Sequence, residues 1–412
     1  MSELSYLEKL LDGVKVEWKT LEKVLKRTKG TKITAGQMKA LHKDNAPLKI
    51  FAGGKTVAFV DFKDIPEKDI NREPSIIVKS RGIIEFEYYD KPFSHKNEMW
   101  SYHSNNDAIS IKYIYYFLKI NEGYFQKIGG KMQMPQIATP DTDKFEVPIP
   151  CPDNPEKSLA IQSEIVRILD KFTALTAELT AELTAELNMR KKQYNYYRDQ
   201  LLSFKEGEVE WKTLGEIGKW YGGGTPSKNK IEFWENGSIP WISPKDMGRT
   251  LVDSSEDYIT EEAVLQSSTK LIPANSIAIV VRSSILDKVL PSALIKVPAT
   301  LNQDMKAVIP HENILVKYIY HMIGSRGSDI LRAAKKTGGS VASIDSKKLF
   351  SFKIPVPNIN EQQRIVEILD KFDTLTNSIT EGLPREIELR QKQYEYYRDL
   401  LFSFPKPETV SN

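Results

Sequence analysis

The apolar positions of this chain follow two patterns, one typical of helices and one typical of strands. Within residues 162–204 and 362–404, apolar side chains recur at intervals of three or four residues, the spacing of an amphipathic helix. Short apolar runs such as EVPIP, ending at Pro150, and KIPVP, ending at Pro357, are bounded by prolines and indicate strands. The pattern predicts an α+β protein in which two long helices join two mixed α/β globular parts.

The two predicted helices carry matching seams of apolar residues. Steps of three and four are sustained over several turns, as in a coiled coil. Because the seams are equal in length, we expect them to pair with each other, and the geometry that places two related modules at opposite ends is antiparallel. We also expect these residues to contact partner proteins. Gly382 and Pro384 predict a kink or break near the middle of the second helix. The seam residues are Ile165, Phe172, Leu175, Leu179, Leu183, Leu187, Tyr194 and Tyr197, and Ile365, Phe372, Leu375, Ile379, Leu383, Ile387, Tyr394 and Tyr397.

Both helices belong to an internal duplication with an offset of 200 residues. QSEIVRILDKFTALT from Gln162 returns as QQRIVEILDKFDTLT from Gln362, and RKKQYNYYRDQLLSF from Arg190 returns as RQKQYEYYRDLLFSF from Arg390. The N-terminal YLEKLLDG is similar to the end of the repeated helix, so the two chain ends carry complementary fragments of one unit. We therefore expect a pseudo-twofold, circular arrangement. Shorter echoes are VEWKTL at Val16 and Val209, and KYIYYFL at Lys112 with KYIYHMI at Lys317.

These repeats divide the chain into six predicted segments. A helical fragment (1–13) precedes the first module (14–155) and a central helical spacer (156–204). The second module (205–358), a second helical spacer (359–404) and a tail (405–412) complete the chain. With 412 residues, the chain exceeds what a single core usually supports, which favours two modules with cores of their own.

Composition excludes several classes of protein. No run of eighteen apolar residues is present, and the acidic, mixed start of the chain has no apolar signal region, so we expect a cytoplasmic protein without a membrane span. The single cysteine, Cys151, fits a reducing compartment and indicates a small packing residue more than a nucleophile.

No catalytic constellation is recognisable in the sequence. There is no NPPY-like or DPPY-like methyltransferase tetrapeptide, no Walker A motif, no PD…ExK nuclease pattern and no Cys/His cluster for zinc. We therefore predict a chain without enzyme activity and without a cofactor or metal of its own. An enzyme built from unrecognised residues in the modules is the alternative, which a cofactor-binding assay on the pure chain would test.

Charge is more informative in its distribution than in its sum. The net charge is only +3, but nine Lys or Arg stand against two acidic residues between Glu22 and Lys55, interleaved with small polar residues. Such a stretch suits phosphate contact, although an ordinary solvated surface has the same composition.

The candidates for DNA contact are cationic, amide and hydroxyl side chains near predicted strand ends and Gly-rich loops. Lysine suits phosphate, whereas arginine, glutamine and asparagine pair with base edges. The loop GGGTPSK from Gly222 lacks the spacing of a nucleotide-binding loop, but its backbone amides suit phosphate. The first-module candidates are Lys29, Lys32, Lys55, Lys79, Arg81, Lys131, Gln133 and Gln136. The second-module candidates are Thr225, Ser227, Lys228, Lys230, Ser243, Lys245, Arg249, Arg282, Ser283, Ser284, Asn302, Gln303, Lys306, Lys335, Lys336 and Ser340.

The repeated helices, together with WYGGGTPSKNKIEFWENGSIPWISPKDM from Trp220 to Met247, resemble the DNA specificity (S) subunits of type I restriction–modification enzymes, and the TAEL run resembles the type IC group. The resemblance covers nearly the whole chain. It implies two target-recognition domains, each contacting one half of a bipartite DNA site. It also implies that the helices dock two modification (M) subunits and, through them, two restriction (R) subunits. S-adenosylmethionine, ATP and Mg²⁺ would then bind to these partners. A coiled-coil scaffold that binds only proteins is the competing hypothesis.

The tandem repeat TAELTAELTAEL, residues 176–187, is a helical spacer with a geometric consequence. Each four-residue unit adds about 6 Å and a net turn of about 40° to an α-helix. One base pair turns B-DNA by about 34–36°. The number of units could therefore set the distance and phase between the DNA segments that the two modules hold.

Overall fold

The computed structural model describes residues 6–130, 134–336, 338, 340–378 and 381–405. The chain divides into two compact units, the first made of residues 1–180 and 389–412 and the second of residues 181–388. Both units combine helices and sheets, as the predicted α+β class requires.

Short strands and helices precede the long helix in the chain. The strands are β1 (Val16–Thr20), β2 (Lys26–Thr28), β3 (Leu48–Phe51), β4 (Val57–Val60), β5 (Ser75–Lys79), β6 (Glu85–Tyr89), β7 (Phe93–His95), β8 (Trp100–His103) and β9 (Glu146–Pro150). The helices are α1 (Tyr6–Leu11), α2 (Leu21–Val24), α3 (Ala35–Leu41), α4 (Ile111–Ile120), α5 (Glu122–Gly129), α6 (Thr139–Asp143) and the long α7 (Pro155–Leu201).

Short strands and helices also make up most of the chain after α7. The strands are β10 (Glu210–Thr213), β11 (Gly218–Gly222), β12 (Ile239–Ile242), β13 (Leu251–Val252), β14 (Tyr258–Ile259), β15 (Ser276–Val280), β16 (Ser292–Ile295), β17 (Thr300–Leu301), β18 (Met305–Pro310) and β19 (Lys353–Val356). The helices are α8 (Glu261–Gln266), α9 (Val316–Ala334), α10 (Ser346–Ser351), α11 (Ile359–Asn377) and α12 (Leu383–Leu401).

The two modules share most of their strand topology, and the second has one further strand, β13, at the edge of its larger sheet. The first contains sheets of order β2-β8-β5-β6, β4-β3-β7 and β1-β9, and the second contains β11-β18-β15-β16-β13, β14-β12-β17 and β10-β19. In both, the three-stranded sheet has one parallel pair, β3 with β7 and β12 with β17. The central strands β5 (SIIVK) and β15 (SIAIV) are buried throughout, which explains their nearly continuous apolar sequences. The duplication seen in the sequence is therefore a duplication of fold.

The repeated sequence islands make the same contacts in both modules. The Tyr113 hydroxyl donates to the Pro148 carbonyl oxygen at 2.8 Å, and the Tyr318 hydroxyl donates to that of Pro355 at 2.9 Å. These bonds attach α4 and α9 to the strand that precedes each spacer helix. On the spacer helices, Gln162 and Gln362 accept from the backbone N–H groups of Ser110 and Leu315, each at 2.9 Å. Satisfying buried polar groups in this way constrains both partners, which explains why these islands stayed alike while the loops diverged.

The spacer helices differ in continuity, as the sequence predicts. Helix α7 is continuous over 47 residues and includes the TAEL run, whereas the second helix is divided into α11 and α12. Gly382, immediately before α12, has φ +85°, a conformation that glycine adopts without strain. The predicted break at Gly382 and Pro384 is confirmed. Ile379 lies outside the described residues.

Aromatic seam residues make equivalent contacts in each unit. In the first unit Phe172 stacks on Tyr397 with 5.7 Å between ring centroids, and in the second Tyr197 stacks on Phe372 at 5.6 Å. Ile165 and Ile365 lie instead in the module cores, and Leu175 is half exposed, so the helix-to-helix seam is shorter than expected. The other described seam residues are partly buried, namely Leu179, Leu183, Leu187, Tyr194, Leu375, Leu383, Ile387 and Tyr394.

Both described chain ends pack into the first unit. Leu7 and Leu11 of α1 share one apolar cluster with Phe402 and Phe404 from the end of the second spacer. The Trp18 indole also donates to the Pro405 carbonyl oxygen at 3.0 Å. The beginning and end of the chain therefore complete the same core, as the complementary terminal fragments indicated.

Candidate nucleic-acid interface

A basic cleft of about 1230 Å³ lies on the first module. Its lining includes the exposed ammonium groups of Lys26, Lys29, Lys32 and Lys68, none of which forms an ion pair within the part of the chain described. Lys29 and Lys32 were predicted from the sequence. Lys26 belongs to the same basic stretch but was not singled out, and Lys68 was missed because acidic residues surround it in sequence. Unpaired ammonium groups around an open cleft are suited to phosphate oxygens.

Local electrostatics in this cleft favour an anion. His103 pairs with Lys26 across β8 and β2 and also lines the cleft. Burial, and then the positive charge of Lys26, lower the pKa of His103 below its ordinary value. An anion bound nearby would offset part of the effect that Lys26 has on this pKa.

Close backbone packing forms one wall of the cleft and requires glycine. A Cβ atom on Gly30 would lie 2.5 Å from the carbonyl oxygens of both His95 and Lys96. The neighbouring Thr31 N–H donates to the His95 carbonyl oxygen at 2.7 Å. Gly30 thus lets the basic segment lie directly against the end of β7, which sets the position of Lys29 and Lys32.

At the end of the central strand β5, the structure brings Arg81 and Gln136 together. The Arg81 Nε–H donates to the Gln136 Oε1 atom at 3.1 Å, and the two residues also form a backbone bridge. Two of the predicted first-module candidates, far apart in the sequence, are therefore in contact. Lys131 and Gln133, two further candidates, lie outside the described residues.

The second module brings several candidates together at the corresponding strand ends. Thr225 hydrogen-bonds to Gln303, and the Arg282 N–H donates to the Asp304 carbonyl oxygen at 3.2 Å. Arg282 also bridges to Ser343, the counterpart of the Arg81–Gln136 bridge. Gln303 and Asp304 closely follow β17 in the chain, so these contacts lie near the end of that strand.

The Gly-rich loop of this module does not offer the free amides that its sequence suggests. The N–H of Gly223 donates to the Met305 carbonyl oxygen at 3.1 Å, and that of Gly224 donates to the Leu301 carbonyl oxygen at 2.8 Å. A Cβ on Gly223 would lie 1.7 Å from the Asn302 carbonyl oxygen. The interpretation of these amides as phosphate ligands was wrong, because the glycines are needed for close packing against β17.

A second basic depression, of about 610 Å³, lies at the C-terminal end of α9 in the second module. Its lining includes Lys288, Arg332, Lys335 and Lys336. Lys335 is paired with Asp287 at 2.6 Å, and the Lys336 N–H donates to the Ser343 carbonyl oxygen at 2.8 Å. The candidates Lys335 and Lys336 are therefore tied to their own module through Asp287 and Ser343.

Ion pairing divides the predicted cations into two groups. Lys79 is buried between Glu85 and Glu87, and although burial alone would lower its pKa, hydrogen bonds to these carboxylates raise the pKa above its ordinary value. Lys245, Arg249 and Lys335 also have carboxylate partners, but in exposed positions where such pairs contribute little. The candidates without an ion pair among the described residues are Lys29, Lys32, Lys55, Arg81, Lys228, Lys230, Arg282, Lys306 and Lys336.

Two polar candidates point into the second module. Ser243 is buried, and its N–H and hydroxyl both donate to Asp246 Oδ2, at 2.8 and 3.1 Å. Asn302 is buried too, and its side-chain oxygen accepts from the Asp304 N–H at 3.0 Å. Both side chains brace loops in this conformation. The remaining hydroxyl candidates Ser227, Ser284 and Ser340 are exposed, and Ser283 is partly buried.

The described residues contain no group of three or more His, Cys, Asp or Glu side chains that could hold a metal ion. No described helix is both long and apolar enough to cross a membrane.

Two segments of the chain, residues 15–189 and 206–389, match the family described as "Type I restriction modification DNA specificity domain". The chain belongs to this family of specificity subunits, which are non-catalytic. It is 72% identical over its full length, and over the full length of the relative, to the type I restriction enzyme EcoR124I/EcoR124II specificity subunit of Escherichia coli. It is 38% identical to the EcoprrI specificity subunit of Escherichia coli, covering 92% of this chain and 93% of that one.

A solved structure shows the same fold. It is described as "Structural basis underlying complex assembly and conformational transition of the type I R-M system". The TM-score is 0.60 at 14% identity, covering 94% of this chain and 97% of the other.

Proposed function

We propose that each module of this specificity subunit binds one half of a bipartite, asymmetric DNA site and that the bases between the halves are not read. The main support is the shared topology combined with divergent strand-end residues. The same backbone bridge joins Arg81 to Gln136 in one module and Arg282 to Ser343 in the other. Two copies of one scaffold that present different side chains at the same place suit two different half-sites. On this proposal residues 14–155 and 205–358 are the two target-recognition domains.

We further propose that the spacer helices dock two modification subunits, and through them two restriction subunits. Tyr196 and Tyr396 lie at equivalent helix positions and are 62% and 64% exposed. Exposed tyrosines at repeated positions are typical of protein interfaces, because they bury a large rigid surface at low entropic cost. S-adenosylmethionine, ATP and Mg²⁺ would act on these partners, and the assembly would work in the cytoplasm on double-stranded DNA.

Selection from random DNA tests the DNA-binding part of this proposal. The purified chain, alone and with its modification subunits, is mixed with random duplexes, and retained molecules are sequenced. We expect two short conserved elements separated by a gap of constant length and free sequence. A matched variant, Lys29→Glu with Lys32→Glu, should lower retention of all sequences, since these residues are assigned to phosphate.

The competing hypothesis of a protein-binding scaffold predicts a different outcome. A scaffold without DNA specificity would bind the modification subunits but enrich no sequence, and the charge-reversed variant would behave like the parent. Enrichment of a single uninterrupted element would also contradict the proposal, since only one module would then be contacting bases.

A further inference from the structure

We propose that Arg81 contacts a guanine in the half-site of the first module and that Gln136 is the residue that positions it. This inference rests on the proposed function, since it assumes that the first module binds DNA. On this proposal the two kinds of cation have different roles, which the basic stretch alone does not show. The lysines of the cleft bind phosphates, whereas Arg81 distinguishes one base pair from the others.

The backbone that carries Arg81 is held on both sides. The preceding Ser80 is buried, and its hydroxyl donates to the Glu98 carbonyl oxygen at 2.6 Å. The Ser80 carbonyl oxygen accepts from the Ile137 N–H at 3.0 Å, and the following Gly82 N–H donates to the Pro135 carbonyl oxygen at 2.9 Å. Arg81 thus projects from a fixed strand end, and less entropy is lost when it binds.

Gln136 orients the Arg81 side chain but uses only one of its N–H donors. A guanidinium carries five N–H donors, and Gln136 accepts only from Nε at 3.1 Å. Arg81 is exposed and forms no ion pair with a carboxylate in the described part of the chain. The fork of terminal N–H groups is therefore available for the O6 and N7 acceptors of guanine, the pattern that arginine matches in a bidentate way.

Gln136 itself is fixed by helix α5. Its N–H donates to the Gly129 carbonyl oxygen at 3.3 Å. A Cβ on Gly129 would lie 3.0 Å from the Gln136 carbonyl oxygen and 2.2 Å from Ile84 Cδ1, so this close approach depends on glycine. The amide that orients Arg81 is consequently part of the packed module and not of a free loop.

The position of the pair agrees with a role beside bound DNA. Asn97 and Met99 line the basic cleft, and Glu98 between them accepts the Ser80 hydrogen bond. Thr139, three residues beyond Gln136, lines the same cleft. Ser80, which precedes Arg81, is therefore bonded to the segment that forms this part of the cleft, and we expect a duplex whose phosphates contact the lysines to pass near Arg81.

The test uses the full chain assembled with its modification subunits and a library of double-stranded oligonucleotides. Arg81→Lys keeps the charge but removes the planar fork. We expect preference at one G·C pair of the first half-site to fall by about tenfold to a hundredfold, with the second half-site unchanged. Gln136→Ala should weaken preference at that same pair without changing the second half-site, and Gln136→Glu should weaken it as well, because a carboxylate at this position would pair with the terminal N–H groups of the guanidinium.

A matched control separates base contact from charge. Lys29→Ala should lower binding of all sequences alike and reduce the dependence on salt by about one phosphate contact, leaving the base preference intact. Thermal melts of all variants establish that they are folded.

Each remaining result has a definite meaning. If Arg81→Lys leaves every position of the first half-site unchanged while the parent remains specific, the inference is wrong and the proposed function stands. If the affected pair is A·T, the assignment to guanine is wrong. If the parent assembly itself selects no sequence, the proposed function fails.

Discussion

Replacing Gly223 by alanine should destabilise the second unit strongly, because the loop lies against the backbone of β17. The new Cβ would lie 1.7 Å from the Asn302 carbonyl oxygen and 2.5 Å from its carbonyl carbon. Asn302 cannot move away easily, since it is buried and its N–H donates to the Ile242 carbonyl oxygen at 2.9 Å. The loop would have to shift by about 1.5 Å or more to reach ordinary van der Waals separation.

The size of the effect follows from what this shift would break. The hydrogen bonds from Gly223 to Met305 and from Gly224 to Leu301 would lengthen, at about 1 kcal/mol each. Overpacking adds about 1–3 kcal/mol, so the free energy of unfolding should fall by about 3–5 kcal/mol. For a unit of about 200 residues, each kcal/mol lowers the Tm by about 2–4 °C, so we expect a decrease of about 6–20 °C.

Thermal unfolding of the purified chain, followed by circular dichroism and calorimetry, measures this directly. Gly222 provides the matched control, because the nearest atom to its Cβ would be Lys306 Nζ at 4.0 Å. Gly222→Ala should therefore leave the Tm nearly unchanged or slightly raised. A Gly223→Ala protein that melts with the parent, or an equal loss in Gly222→Ala, would refute the reasoning.

Three further predictions concern other parts of the molecule. Deleting one TAEL unit from residues 176–187 should change the preferred gap by about one base pair and leave both half-sites intact, as read from selected DNA; a changed half-site with an unchanged gap would contradict this. Lys79→Met should lower the free energy of unfolding by about 2–4 kcal/mol, because Glu85 and Glu87 lose the cation that they share. Denaturant titrations measure this change. An effect below about 0.5 kcal/mol, which is typical of an ordinary surface substitution, would show that these ion pairs do not stabilise the fold. The pKa of Glu164 is held at about 2, chiefly by a hydrogen bond from a neighbouring arginine, below its ordinary value near 4.5. Its contribution to stability is therefore present above about pH 4.5 and is lost as the pH falls toward 2. The Tm difference between the parent and Glu164→Gln should shrink over that range, and a constant difference would exclude this ionic contribution.

The candidate interface was foreseen in outline but not in its contacts. The basic stretch near the N-terminus identified Lys29 and Lys32, and the position of Arg81 beyond a predicted strand made it a candidate, as Gln136 was. Neither revealed that Gln136 accepts from the Arg81 guanidinium, since these residues are 55 positions apart. Nothing in the sequence indicated Lys68 as a candidate, because its neighbours in the chain are acidic. Only the fold places it at the cleft.

The sequence by itself determined the duplication, the two helical spacers, the break at Gly382 and the α+β class, because these depend on local periodicity, backbone preference and repetition. Only the tertiary structure decided which polar groups are available for DNA. Lys79 is held by Glu85 and Glu87, and Lys335 by Asp287, while the amides of Gly223 and Gly224 are bonded to β17 and its neighbourhood. Burial, ion pairing and hydrogen bonding depend on residues that are distant in sequence. The spacing of residues along the chain does not predict which of them will be in contact.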